Sequence, residues 1–304
     1  MEAKDYIKPP FANYDIVVYF GCSLFSLPLI FHYLIEPSGL RFPRFQFNIG
    51  IPFADAAIST LSLLFTVYIL GHMIAHIASH AIEKSVDLFF GKISTALIIS
   101  NLSEPREFTE TVQGWIATRF VGAFRRPHFF SSFIRVLFFI PVFPVILFLI
   151  GFRQLEYFRS RIPPRIFAAV KKKCIERGFG PVGLRTKWYK SIEHDVINNH
   201  PVPVVRMYNY LVISGIFRSL SLIFLACAWC EVYFWLHRIL HGHEIVRSLM
   251  SDTPVRFGHA VALGGFNVLF GFSLSAYLKF ARRYVEEAVF SFVLTGSSGS
   301  PNAH

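Results

Sequence analysis

Residues 72–83 hold the densest run of groups able to do acid–base or metal chemistry: His72, His76, His80 and Glu83. On a helix turning about 100° per residue, these four fall within about 80° of one another. Imidazoles four residues apart have the reach of metal ligands, and Glu83 could serve as a further ligand or as the partner of a ligating ring. His72 and His80, however, lie about 12 Å apart along the axis, too far for both to bind one ion with bonds of about 2 Å. No tightly held cofactor is therefore predicted. The remaining uses of such a face are a bundle interior, a water-filled path, or a ladder of hydrogen bonds between helices. A second pattern lies in 257–278, where Ala260, Gly264, Asn267, Gly271 and Ser275 recur at helical spacing. They form one stripe of small and polar side chains about 22 Å long. Such a stripe serves close helix packing or, in a symmetric homo-oligomer, the lining of a pore.

Both patterns sit in apolar runs. In 304 residues, 53% are hydrophobic and 16% charged, with 17% aromatic and a mean hydropathy of +0.47. That balance excludes an ordinary soluble enzyme and predicts an all-α, polytopic membrane bundle. Four stretches are long enough to cross roughly 30 Å of hydrocarbon: 15–35, 54–82, 210–236 and 257–278. A fifth, 133–152, is broken by Pro141 and Pro144, which remove two backbone donors where a straight helix would be deepest in lipid and predict a re-entrant hairpin. Residues 1–294 read as a single integral membrane domain. The tail 295–304, with its Gly-Ser-Ser-Gly-Ser run, reads as a disordered linker.

Lys and Arg total 30 against 19 acidic residues, for a net charge of +11. The surplus concentrates in loops 83–132 and 153–208. Putting both loops on one side, with 133–152 re-entrant, divides the loop cations 23 to 5. This predicts that both termini and both basic loops are cytoplasmic. Arg135 and Arg218 are then the two bases left inside hydrophobic segments, and Arg218 falls on the side of His80 and Glu83. Residues 106–125 have an apolar stripe with Ser103 as its N-cap and end at Arg125 and Arg126. Residues 166–177 set Phe167, Val170 and Cys174 opposite Lys171, Lys172 and Lys173, the pattern of a helix on an anionic surface. Anionic headgroups of membrane lipid, or an anionic ligand, are the partners implied; no nucleic-acid motif is present.

The four cysteines, Cys22, Cys174, Cys227 and Cys230, are too few for a disulfide framework. Tyr233–His241, with His237 and His241, resembles the first histidine box of the membrane fatty-acid hydroxylase and sterol desaturase family. The resemblance implies a lipid-modifying enzyme in which clustered histidines hold two irons. The family's other boxes contain adjacent histidines, and this chain has none. Two function classes follow. One is a homo-oligomeric channel with the small-residue stripe at its axis. The other is a metal-dependent, lipid-modifying membrane enzyme built on His72, His76, His80 and Glu83.

Overall fold

The computed structural model describes residues 15–38, 52–90, 143–154, 162–180, 188–241 and 255–294, together with 93, 94 and 141. Among them nearly all residues are helical and none is in a strand. Helix α1 spans residues 15–38 and α2 spans 52–90. They are followed by α3 (Phe143–Gln154), α4 (Pro164–Glu176), α5 (Trp188–Asn199), α6 (Pro201–His241) and α7 (Val255–Leu294). Four helical stretches are long and apolar enough to cross a membrane: Ile16–Ile35, Ala54–Asp87, Pro201–His241 and Gly258–Leu294. The chain is thus a multi-pass, all-helical membrane protein. The proposed helix at 106–125, with Arg125 and Arg126, lies outside the described residues, as does the first arm of the hairpin at 133–140. The described part of that segment is α3, whose 12 residues extend about 18 Å, short of a bilayer core.

The chain divides into two compact units. One, here the apolar unit, comprises Pro9–Ile82 and Val212–Tyr277; the other, the basic unit, comprises Met1–Lys8, Glu83–Leu211 and Leu278–His304. The boundaries fall inside continuous helices. Helices α6 and α7 have 41 and 40 residues, about 60 Å each, or twice the hydrocarbon thickness. The sequence supports this length. The extension past residue 278 keeps helix formers and charge pairs in register, with Arg282 Nε 2.8 Å from Glu286 Oε1.

In the apolar unit α1 packs against α2. Gly71 permits the approach, since a Cβ there would overlap the Tyr19 carbonyl. Tyr33 lies on a π-helical turn, Phe31–Ile35, within α1 beyond Pro28. Proline lacks the amide that would bond to the preceding turn, and wide turns of this kind re-aim side chains.

The basic unit has a core of different origin. Phe167, Val170 and Cys174 of α4 meet Trp188, Ile192 and Val196 of α5, Met207 of α6, and Val285, Ala288, Val289 and Phe292 of α7. The sets from α4, α5 and α7 recur at helical spacing, so each of these helices contributes one stripe, and α6 adds Met207. Proline supplies the start of α4, with Pro163 as cap and Pro164 in the first turn. Gly178, at φ 70°, ends it: the Phe179 amide donates to the Cys174 carbonyl at 2.8 Å and the Gly178 amide to Ile175 at 3.0 Å. That pair of bonds needs a left-handed residue, which glycine adopts without steric cost. The apolar face of α4, read from sequence as a membrane-surface face, is buried here against protein. The same amphipathic pattern fits either environment, and the stripes of α5 and α7 were available to cover it.

Candidate functional site

Helix α6 carries one carboxylate, Glu231, inside its apolar run. It is 1% exposed, as buried as any leucine of the core. An uncompensated carboxylate there would cost several kcal/mol, so its partners define the site. Tyr33 of α1 donates its hydroxyl to Glu231 Oε1 at 2.5 Å, and Nδ1 of His259 on α7 lies 2.6 Å from Oε2. Tyr33 and His259 are themselves 5% and 2% exposed. One carboxylate thus joins three membrane helices, with both of its oxygens engaged.

Aromatic rings close the surroundings. The Tyr33 ring stacks on Phe234 with centroids 6.1 Å apart and meets Phe266 edge-on at 6.0 Å. Cys227 and Cys230 precede Glu231 on its own helix, Cys227 buried and Cys230 half-buried, both as free thiols. Beside Tyr33, His32 Nδ1 lies 3.0 Å from the exposed Glu36 Oε2. In this arrangement the Tyr33 hydroxyl donates to one oxygen of Glu231 and His259 Nδ1 engages the other. A single carboxyl group is thus the shared contact of α1, α6 and α7, and breaking either contact would leave a buried polar group without its partner.

The structure distributes the sequence-predicted residues differently. His72, His76 and His80 are all exposed on one face of α2, and Glu83 is half-buried. His72 stacks on Tyr19 at 3.8 Å and meets Tyr68 edge-on at 4.5 Å. The rings of His76 and His80 lie 4.5 Å apart, and His80 Nδ1 is 3.0 Å from the His76 carbonyl oxygen. Among the described residues no three His, Cys, Asp or Glu side chains converge as a metal site would require. Arg218 is half-buried on α6. The rings of His237 and His241 lie 4.3 Å apart, tilted to each other, near the end of α6.

The stripe of α7 is not uniform. Ala260 and Gly264 are exposed, Asn267 and Ser275 half-buried, and Gly271 buried. A Cβ on Gly264 would meet nothing within 4 Å, whereas Asn267 donates to the Leu263 carbonyl of its own helix at 2.8 Å. The three lysines of α4 also separate. Lys173 donates to the Phe292 carbonyl in the last turn of α7 and sits 4.8 Å over the Phe292 ring. Burial, reinforced by Arg177, holds its ammonium below the ordinary lysine value. Lys171 lies over Phe167, and Lys172 is exposed, 3.8 Å from Glu176.

Sequence reasoning missed Glu231, Tyr33 and His259. The signal for Glu231 was present, since it is the only acidic residue between 201 and 241, but the bases of the membrane segments were weighed and this acid was not. Tyr33 and His259 carry no sequence signal, because only folding brings residues 33, 231 and 259 together. In comparisons with known proteins, no family, no curated protein and no solved structure matches the chain.

Proposed function

We propose that the protein is a proton-responsive membrane channel, with Tyr33, Glu231 and His259 as its titratable lock. The observation that carries this reading is the full burial of Glu231 between two hydrogen-bonding partners on two other helices. Ionisable groups inside membrane helices are costly and mark ion paths, proton relays or switches. The groups facing Glu231 are Tyr33 from α1 and His259 from α7, with Cys227 and Cys230 on its own helix. Loss of either contact to Glu231 would weaken the tie between the three helices and shift the population toward a looser bundle.

The stripe Ala260, Gly264, Asn267, Gly271 and Ser275 is assigned to the lumen of a homo-oligomer. Support comes from Ala260 and Gly264, which the single chain leaves uncovered. Both termini and both basic loops are assigned to the cytoplasm, with Arg125, Arg126, Lys171 and Lys172 toward anionic headgroups. A metal-dependent lipid enzyme on His72, His76, His80 and Glu83 has no comparable support, since the side chains are strung along one exposed helix face.

Ion flux into proteoliposomes, read across pH beside the oligomer's mass in detergent, tests the proposal. Wild type should conduct in a pH-dependent way, and Glu231→Gln, which keeps the shape and removes the titration, should conduct without that dependence. A wild type that passes no ions at any pH or membrane potential overturns it.

A further inference from the structure

Along the exposed face of α5 runs a groove of about 530 Å³, walled on its other side by the turn that ends α4. Its polar lining comes from one helix: Lys190, Ser191, His194 and Asn198 recur at one-, three- and four-residue steps, and Phe179 supplies an apolar wall. The groove is shallow and open to solvent.

The charges in and around the groove favour an anion. Residues 162–211 contain nine Lys and Arg against three Asp and Glu. The one carboxylate in the lining, Asp195, is 8% exposed, and its Oδ1 is already taken by Arg177 at 3.2 Å and Asn199 at 3.0 Å. Its Oδ2 is buried without a hydrogen-bond partner among the described residues, and the Arg177 guanidinium offsets its charge. Lys190 and Ser191, by contrast, have no partner among the described residues, and Lys190 is exposed. The three lysines of α4 differ in this respect, since each already sits against a neighbour: Phe167 for Lys171, Glu176 for Lys172 and the Phe292 carbonyl for Lys173.

We propose that this groove binds a phosphate-bearing polar molecule, with Lys190 and Ser191 holding the phosphoryl group and His194 and Asn198 facing its hydroxyl or amide groups. A phosphoryl group offers several acceptor oxygens to an ammonium and a hydroxyl side by side, which a carboxylate matches less well. Lys190 and Asn198 lie about 12 Å apart along the axis, the length of a glycerol or sugar phosphate with room for its body. The same chemistry is present in a phospholipid headgroup and in a soluble phosphate ester.

The test uses the full chain in nanodiscs of zwitterionic lipid. Glycerol 3-phosphate or malonate is added from solution, or phosphatidylglycerol is included in the bilayer, and acetylation of Lys190 is followed by mass spectrometry with Lys84, which is also exposed, as the control. Protection of Lys190 alone by glycerol phosphate supports a soluble ligand, and protection only by phosphatidylglycerol supports a headgroup. In the first case, Lys190→Ala with Ser191→Ala should weaken calorimetric binding roughly tenfold or more, and Lys84→Ala should leave it unchanged. In the second, the double variant should lower the retention of phosphatidylglycerol, with Lys84→Ala again neutral. The proposal is overturned if Lys190 is acetylated at the same rate under all conditions, if malonate protects it equally, or if Lys84→Ala has the effect of the double variant.

Discussion

The two units are stabilised by opposite arrangements. The basic unit buries an apolar cluster, Trp188, Phe167, Val289 and Phe292, under a charged exterior, as a protein surrounded by water does. The apolar unit buries its polar groups, Glu231 with Tyr33 and His259, and exposes Ile16, Leu61, Phe65 and Phe272, as a protein surrounded by lipid does. In water the information is carried by hydrophobic periodicity. In lipid nearly every residue is apolar, so the information is carried by the exceptions.

Deleting the centre of each unit should separate the two arrangements. Trp188→Ala removes the largest fully buried side chain among the described residues, 1% exposed, and should destabilise the basic unit by about 3–5 kcal/mol, read as a lowered denaturant midpoint of residues 188–199 in hydrogen exchange. Glu231→Leu leaves His259 and Tyr33 buried without their shared partner and should cost about 3 kcal/mol. A triple replacement, Tyr33→Phe, Glu231→Leu and His259→Leu, should recover most of that loss in detergent while abolishing pH-dependent flux. If the triple variant kept wild-type pH dependence, the network would be a clamp and nothing more.

Much of the fold was legible in advance, because span length is a property of composition. The four membrane-length helices and the extent of α4 follow from apolar runs and helical spacing. What covers an apolar face does not. The stripe of Phe167, Val170 and Cys174 was correct as a stripe, but its neighbour was Trp188 and Phe292 rather than lipid, since periodicity encodes a face and not its partner. The candidate site was the reverse case. Its central acid was visible as a single charge in α6, whereas its partners come from helices 198 and 28 residues away in sequence.

A smaller effect sharpens the comparison within the basic unit. Lys173→Met keeps the stem over Phe292 and loses the bond to its carbonyl and the favourable charge at the C-terminus of α7, for roughly 1 kcal/mol. Lys172→Met, at an exposed pair, should change stability by a few tenths of that at most. Equal effects from the two would mean that the cap on α7 contributes nothing. Cys174, buried in the same region with its thiol pushed up to about 11 by burial, should resist alkylation at neutral pH until the unit unfolds.

The smallest effect expected is a pH dependence centred on His200, between α5 and α6. Burial lowers its affinity for a proton, Lys173 and Arg177 add repulsion, and Asp195 partly offsets them. The folded chain therefore holds the proton less tightly than the unfolded chain, which titrates near the ordinary histidine value of about 6.5. Above that value both states are neutral and the stability is fully present. As pH falls through it the unfolded chain takes up the proton first, so stability declines toward acid. Going from about pH 7.5 to about pH 5.5 should lower the unfolding midpoint of the basic unit, and His200→Gln should flatten the slope. Lys173→Met removes one source of repulsion and should flatten it partially while leaving His200 in place. A slope unchanged in both variants would assign the acid sensitivity to another group and separate it from this cluster.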